Sequence, residues 1–266
     1  MKIAAVQMVS GTDVAGNAAA AQRLIGEAAR AGAVLVVLPE YFCLMGRSDR
    51  DKLGVAEAPG AGPLQRMLSE AARAHRIWLI GGTLPIRTDD PKRVLNANCV
   101  FGPDGALVRR YDKIHLFKYD DGKERYDEGC AIRAGDEPMA FQAGALKVGL
   151  SVCYDLRFPE LYRALMHPPC DLISVPAAFT HTTGLAHWEL LLRARAVENQ
   201  CYVIAAAQGG LHENGRRTFG HSMVIDPWGK VLNVLPEGEG VVLAEVDPAH
   251  IASVRTQLPA LEHRTL

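Results

Sequence analysis

Val148-Gly149-Leu150-Ser151-Val152-Cys153-Tyr154-Asp155-Leu156-Arg157-Phe158-Pro159-Glu160 reads as a buried strand that gives way to a helix. Five small or apolar residues form the strand, and Pro159 with Glu160 suits a first helical turn. Cys153 stands at the junction. A turn there pushes the thiol into a cleft while the Tyr154 N–H points toward the same cleft, so that nucleophile and oxyanion donor face one carbonyl. The plain alternative is a small core hydrophobe, the usual role of a free cysteine. The polar break Tyr154-Asp155-Leu156-Arg157 favours the junction.

Outward from this stretch the chain alternates. Upstream, Ile3 to Val6 reads as a strand, Asn17 to Ala31 as an Ala-rich helix ended by Gly32, and Val34 to Leu38 as an apolar strand. Pro63 to His75 is a second helix, followed by a strand over Ile77 to Gly81. Asn96 to Phe101 and Ala106 to Tyr111 flank Gly102-Pro103-Asp104-Gly105, a predicted hairpin that makes the sheet partly antiparallel. Lys113 to Asp136 reads as a long polar loop. Downstream come a helix over Glu160 to Met166, a strand over Leu172 to Val175 and a helix over Trp188 to Asn199. Strands at Tyr202 to Ala207, Gly220 to Ile225 and Val241 to Val246 follow, with Asp226-Pro227-Trp228-Gly229 as a turn. No linker or repeat interrupts the chain. The expectation is an α/β fold in one domain over residues 1–266, strands inside and helices outside.

Composition narrows the function. At 266 residues, 48% hydrophobic and 22% charged, the chain is globular rather than disordered. A net charge of −1 gives no electrostatic reason to expect nucleic acid or an anionic membrane as partner, so a small molecule is the expected substrate. No apolar run approaches the ~20 residues that span a bilayer. Met1 to Gln7 leads straight into a strand without a leader-like apolar core, and a cytoplasmic protein is expected. Cys43, Cys99, Cys130, Cys153, Cys170 and Cys201 are scattered without a Cys-x-x-Cys pair, which suits free thiols rather than disulfides or zinc.

Two further junctions resemble that at Cys153. Val34 to Leu38 runs into Pro39-Glu40, and the proline turns the chain so that Glu40 leaves the sheet edge into a partly desolvated cleft. A desolvated carboxylate binds a proton more readily, which suits a general base; an ordinary exposed glutamate is the alternative. Ala106 to Tyr111 continues into Asp112-Lys113-Ile114-His115-Leu116-Phe117. Lys113 among apolar neighbours needs a carboxylate partner, either as a structural ion pair or as a cation that stabilises a developing oxyanion. His115 is expected to be a packed, hydrogen-bonded core histidine.

Leu38-Pro39-Glu40, Tyr111-Asp112-Lys113-Ile114-His115-Leu116-Phe117 and Val152 to Glu160 together resemble the three signature segments of the carbon–nitrogen hydrolases, the nitrilase superfamily, in the family's order. The resemblance implies a four-layer α-β-β-α sandwich, assembled as a homodimer or a higher homo-oligomer, and a Glu-Lys-Cys triad. It makes Glu40 the general base, Lys113 the oxyanion-stabilising cation and Cys153 the nucleophile, with the Tyr154 N–H as the second oxyanion donor. It also brings in Glu128, within Tyr126-Asp127-Glu128-Gly129, as a second glutamate that positions the lysine and substrate; the residues alone read it as a solvated loop charge. No metal or organic cofactor is implied.

The C-terminal third resembles one branch. Gly184 to Ala196, Ala205-Ala206-Ala207-Gln208 and Gly220-His221-Ser222-Met223-Val224-Ile225-Asp226-Pro227-Trp228-Gly229 are similar to the deaminated glutathione amidases, while the ω-amidases, which act on 2-oxoglutaramate, share the first and last of these segments. The expected activity is hydrolysis of a small-molecule amide through a cysteine thioester. Such substrates carry a carboxylate beside a ketone, so one cationic or amide donor is expected in the pocket. Lys118-Tyr119-Asp120 and Cys130 depart from the branch pattern on the loop expected to line that pocket. Two other classes stand against this reading. An inactive interaction protein of the same fold is disfavoured by the intact Glu40, Lys113 and Cys153, and a nucleotide-binding α/β protein by the absence of a G-x-G-x-x-G or P-loop after a strand.

Overall fold

The computed structural model describes residues 1–122 and 125–265. Two sheets lie face to face. The first runs in the order Gly240–Glu245, Lys2–Gln7, Leu35–Val37, Trp78–Ile80, Val94–Phe101, Leu84–Arg87, with Leu107–Asp112 and Ile132–Arg133 also paired to Val94–Phe101. The second runs Ala140–Ala143, Leu146–Leu150, Leu172–Ala177, Tyr202–Ala207, Ser222–Ile225, Val231–Leu235.

The two-residue period of a strand explains why the apolar runs are continuous. Ile3, Ala5, Leu35 and Val37 point into the core shared with Val148, Leu150, Val203 and Ala205 of the second sheet. Their neighbours Ala4, Val6, Val36 and Leu38 point the other way, onto Leu24, Ile25 and Leu68 of helices Val14–Arg30 and Pro63–His75. Helix His181–Asn199 covers the second sheet through Trp188, Leu192 and Ala196. The architecture is the α-β-β-α sandwich.

Helix starts differ from the sequence expectation because of caps. Asp13 accepts from the N–H groups of Ala15 and Gly16, so the first helix begins at Val14 rather than Asn17. Thr180 accepts from Thr183 N–H, and the long helix begins at His181 rather than near Trp188. The predicted hairpin is present as Val94–Phe101 with Leu107–Asp112, antiparallel, closed by Gly105 N–H to Gly102 O at 2.8 Å. Lys113 to Asp136 is not an unstructured loop. It holds an antiparallel ribbon, Lys118–Asp120 with Arg125–Asp127, a 3-10 turn at Glu128–Cys130, and strand Ile132–Arg133, which pairs in parallel with Val94 and Leu95. Phe117, stacked on Tyr119 and tilted against Tyr126, supplies the apolar anchor for the ribbon.

Leu35–Val37 is parallel to its neighbours in the first sheet, and Leu146–Leu150 to Leu172–Ala177 in the second. Glu40, Cys153 and Ala178 follow the carboxyl ends of Leu35–Val37, Leu146–Leu150 and Leu172–Ala177. Crevices at carboxyl ends of parallel strands are where open α/β sheets bind ligands.

Candidate active site

Glu40 is turned inward by its backbone. Leu38 N–H still bonds Ile80 O at 2.9 Å, Pro39 ends the ladder, and Tyr41 takes a left-handed conformation with φ 56°. Gly82 passes so close that a Cβ there would lie 2.1 Å from Pro39 O, at φ +59°. Only glycine fits that contact. The Glu40 side chain, 1% exposed, accepts from Asn96 Nδ2 at 2.9 Å and Ala178 N–H at 3.1 Å. Gln208 Nε2 holds its carbonyl at 3.1 Å.

Lys113 leaves the end of strand Leu107–Asp112 and is fully buried. Its Nζ donates to Glu40 Oε1 at 2.8 Å and to Glu128 Oε1 and Oε2 at 3.0 and 2.9 Å. Burial alone would lower the lysine pKa, but the two carboxylates more than offset it and hold it well above 10.5. Glu128, on the 3-10 turn, also accepts from the Tyr41 hydroxyl at 2.5 Å and from Phe117 N–H at 2.7 Å. Burial raises its pKa; Lys113 and these donors outweigh that and hold it below 4.5.

Cys153 sits at φ 50°, a left-handed conformation strained for a residue with a side chain, and opens the 3-10 turn Cys153–Arg157. The Tyr154 N–H lies in that first turn, where amides lack intrahelical acceptors. Asp155, fully buried, ties the turn to the lysine strand. It accepts from Val152 N–H (2.9 Å), His115 N–H (3.0 Å) and Tyr111 OH (2.7 Å), and its Oδ1 is 2.7 Å from His115 Nδ1. The thiol pKa is pushed well above 9.0, first by burial and then by the Glu40 charge; Lys113 opposes both. One ammonium between two carboxylates leaves an excess negative charge, so the resting sulfur keeps its proton. Passing that proton to Glu40 creates a thiolate without adding charge to the cluster.

These groups meet at a narrow cleft lined among others by Glu40, Glu128, Cys153, Tyr154, Phe117 and Phe179. The structure therefore brings Glu40, Lys113, Glu128 and Cys153 together. Three expectations change. Lys118 does not line the cleft; it is exposed and paired with Asp127 at 3.1 Å. Cys130 is likewise exposed and absent from the wall. His115 is partly exposed and stacked on Phe158 at 3.7 Å between ring centroids, a clamp on the cysteine turn rather than a core residue.

Sequence reasoning missed Asp155, Asn96, Tyr41 and the pocket arginines Arg157 and Arg216. Asp155 and Arg157 lie inside the opening motif, and two charges in a turn after a buried strand were the available signal. Asn96, a polar residue in an apolar strand, was a second. Among the described residues no helix is long and apolar enough to cross a membrane.

Fold and site define a class: an α-β-β-α sandwich with a buried cysteine, lysine and paired glutamates at the mouth between its sheets. The Carbon-nitrogen hydrolase family profile matches residues 2–256. A deaminated glutathione amidase of Synechocystis is 41% identical over 266 residues, 98% of this chain and 97% of that protein. An omega-amidase of Danio rerio is 40% identical over 99% of this chain and 94% of its own. In structure, the Caenorhabditis elegans NitFhit protein superposes with a TM-score of 0.92 at 39% identity, covering 99% of this chain and 65% of that solved chain, which belongs to a fusion protein. The chain belongs to the carbon–nitrogen hydrolase family, hydrolases of C–N bonds other than peptide bonds.

Proposed function

We propose that this chain is a cysteine amidase whose substrate is deaminated glutathione, a 2-oxo acid joined through its distal carboxyl to a dipeptide. The observation that carries the reading is Lys113 Nζ held between Glu40 and Glu128 beside the Cys153 thiol. Glu40 takes the thiol proton, and sulfur adds to the amide carbonyl carbon. Lys113 and the Tyr154 N–H hold the resulting oxyanion. Glu40 returns the proton to the amide nitrogen, the C–N bond breaks, and an amine leaves a thioester behind. Water then gives a proton to Glu40 and adds to the thioester. The C–S bond breaks, sulfur recovers the proton, and the acid departs. Glu128 keeps Lys113 aimed. No step calls for a metal or organic cofactor.

The Synechocystis relative supports the substrate. The Danio rerio relative supports a second reading, an ω-amidase releasing ammonia from 2-oxoglutaramate. Comparison of kcat/KM for the two substrates and a simple aliphatic amide decides: a lead of about tenfold for deaminated glutathione, ~1.4 kcal/mol in transition-state discrimination, sustains the first reading. Equal rates or a lead for 2-oxoglutaramate overturn it. We further propose one hydrolase domain over residues 1–266, a cytoplasmic location, and a homodimer. Exposed Leu185, Leu190 and Val197 on helix His181–Asn199 and the nearby Trp228 support the last; sedimentation as a monomer at micromolar concentration would refute it.

A further inference from the structure

Two arginines line the cleft around Cys153, and they differ in how they are held. Arg157 lies over the Tyr154 and Phe179 rings, with Nη1 3.2 Å from His187 Nδ1. Arg216 packs over the Tyr126 ring at 4.7 Å, and among the described residues its Nη1 reaches only Met45 Sδ at 3.9 Å and its buried Nε has no hydrogen-bond partner. A buried guanidinium N–H without an acceptor is costly and uncommon.

Arg216 is also the wall shared between this cleft and a second, more open one behind it, bordered by Gly46 to Asp49, Arg125, Tyr126 and Asn214. Among the described residues the other charges there are engaged: Arg47 with Glu213 at 3.5 Å, Asp49 with Lys52 at 3.0 Å, Arg125 with Asp120 at 3.8 Å. Asn214 accepts from Arg216 N–H and donates to Gly46 O, fixing the loop that carries the arginine. The guanidinium faces both spaces with no carboxylate of the described chain upon it. Cys153 and Arg216 line the inner cleft together, and Arg216 also borders the outer one.

We propose that Arg216 and this outer cleft form a leaving-group subsite that takes an amine bearing a carboxylate, such as a dipeptide with a free C-terminus. The proposal rests on the deaminated glutathione reading and deepens it. A guanidinium offers the planar pair of donors that a carboxylate accepts. An ammonia-releasing substrate makes no use of it, so the subsite is what separates the two candidate activities.

The test compares deaminated glutathione with its C-terminal carboxamide, on the wild-type protein and on Arg216→Ala and Arg216→Lys. The wild-type protein should prefer the acid by at least about tenfold in kcat/KM, mostly through KM. Arg216→Ala should treat acid and carboxamide alike, and Arg216→Lys should restore part of the preference. Equal wild-type rates on acid and carboxamide, or a preference that survives Arg216→Ala, overturn the subsite while leaving the substrate reading intact. Turnover of 2-oxoglutaramate with none of deaminated glutathione overturns the substrate reading itself, and the subsite with it. The wild-type comparison needs no variant to fold.

Discussion

Replacing Lys113 by Met leaves Glu40 and Glu128 buried with no cation between them. The three Nζ contacts at 2.8 to 3.0 Å vanish, while Glu40 is 1% and Glu128 6% exposed, so solvent cannot substitute for them. Breaking a buried pair by removing one partner costs about 3–5 kcal/mol, and at ~2–4 °C per kcal/mol this places the melting temperature about 6–20 °C lower. The sign of the pH response should also invert. Without the lysine, burial dominates at Glu128 and its pKa rises above the unfolded value, so the variant gains stability as pH falls. Adding Glu128→Gln removes one of the facing charges and should recover a substantial part of the loss. The assay is urea unfolding at fixed protein concentration across a pH series, for the wild-type protein, both single variants and the double variant. A Lys113→Met protein within about 1 kcal/mol of wild type, or a Glu128→Gln cost that simply adds, would show that the three charges are not coupled as described.

Wild-type stability from this cluster should be present above pH 4.5 and lost as pH falls through the lower folded value of Glu128; at the alkaline end it should be present below 10.5 and lost as pH rises through the raised value of Lys113. Melting temperature against pH checks both limbs, and Glu128→Gln should flatten the acid one. Cys153→Ala should abolish turnover and remain folded, whereas Cys153→Gly, relieved of the φ 50° strain, should be at least as stable as the alanine variant; chemical denaturation showing glycine lower would refute the strain. Asp155→Asn exposes donors to donors at a site with four partners, and kcat should drop about 10- to 100-fold with a smaller change in KM. Gly82→Ala, forced 2.1 Å from Pro39 O, should displace Glu40 and cost activity and stability together.

The three junctions were legible because each is local: an apolar run, then a break carrying one reactive side chain. Glu128 was not, since its burial is conferred by Tyr41 and Lys113, residues distant in sequence, and it reads in isolation as loop charge. Only the family resemblance located it. The loop departures at Lys118 and Cys130 misled for a related reason, because Lys118 on the ribbon and Cys130 on the 3-10 turn are exposed, while Phe117 and Glu128 line the cleft. Strand Leu84–Arg87 was hidden by Pro85, tolerated at the end of the sheet order. Helix Pro248–Gln257 went unread although Asp247 and Pro248 are a cap and a first-turn proline.

The strand at Lys2–Gln7 lies between Leu35–Val37 and Gly240–Glu245, and the Met1 ammonium donates to Val246 O at 2.7 Å. During synthesis the strand Lys2–Gln7 therefore waits with an open edge until Gly240–Glu245, far along the chain, has been made. Such sequence-distant pairing slows folding and exposes apolar strands to one another on nascent chains. Chains halted before residue 240 should keep this edge uncovered and aggregate, which makes the arrival of Gly240–Glu245 the step that decides yield.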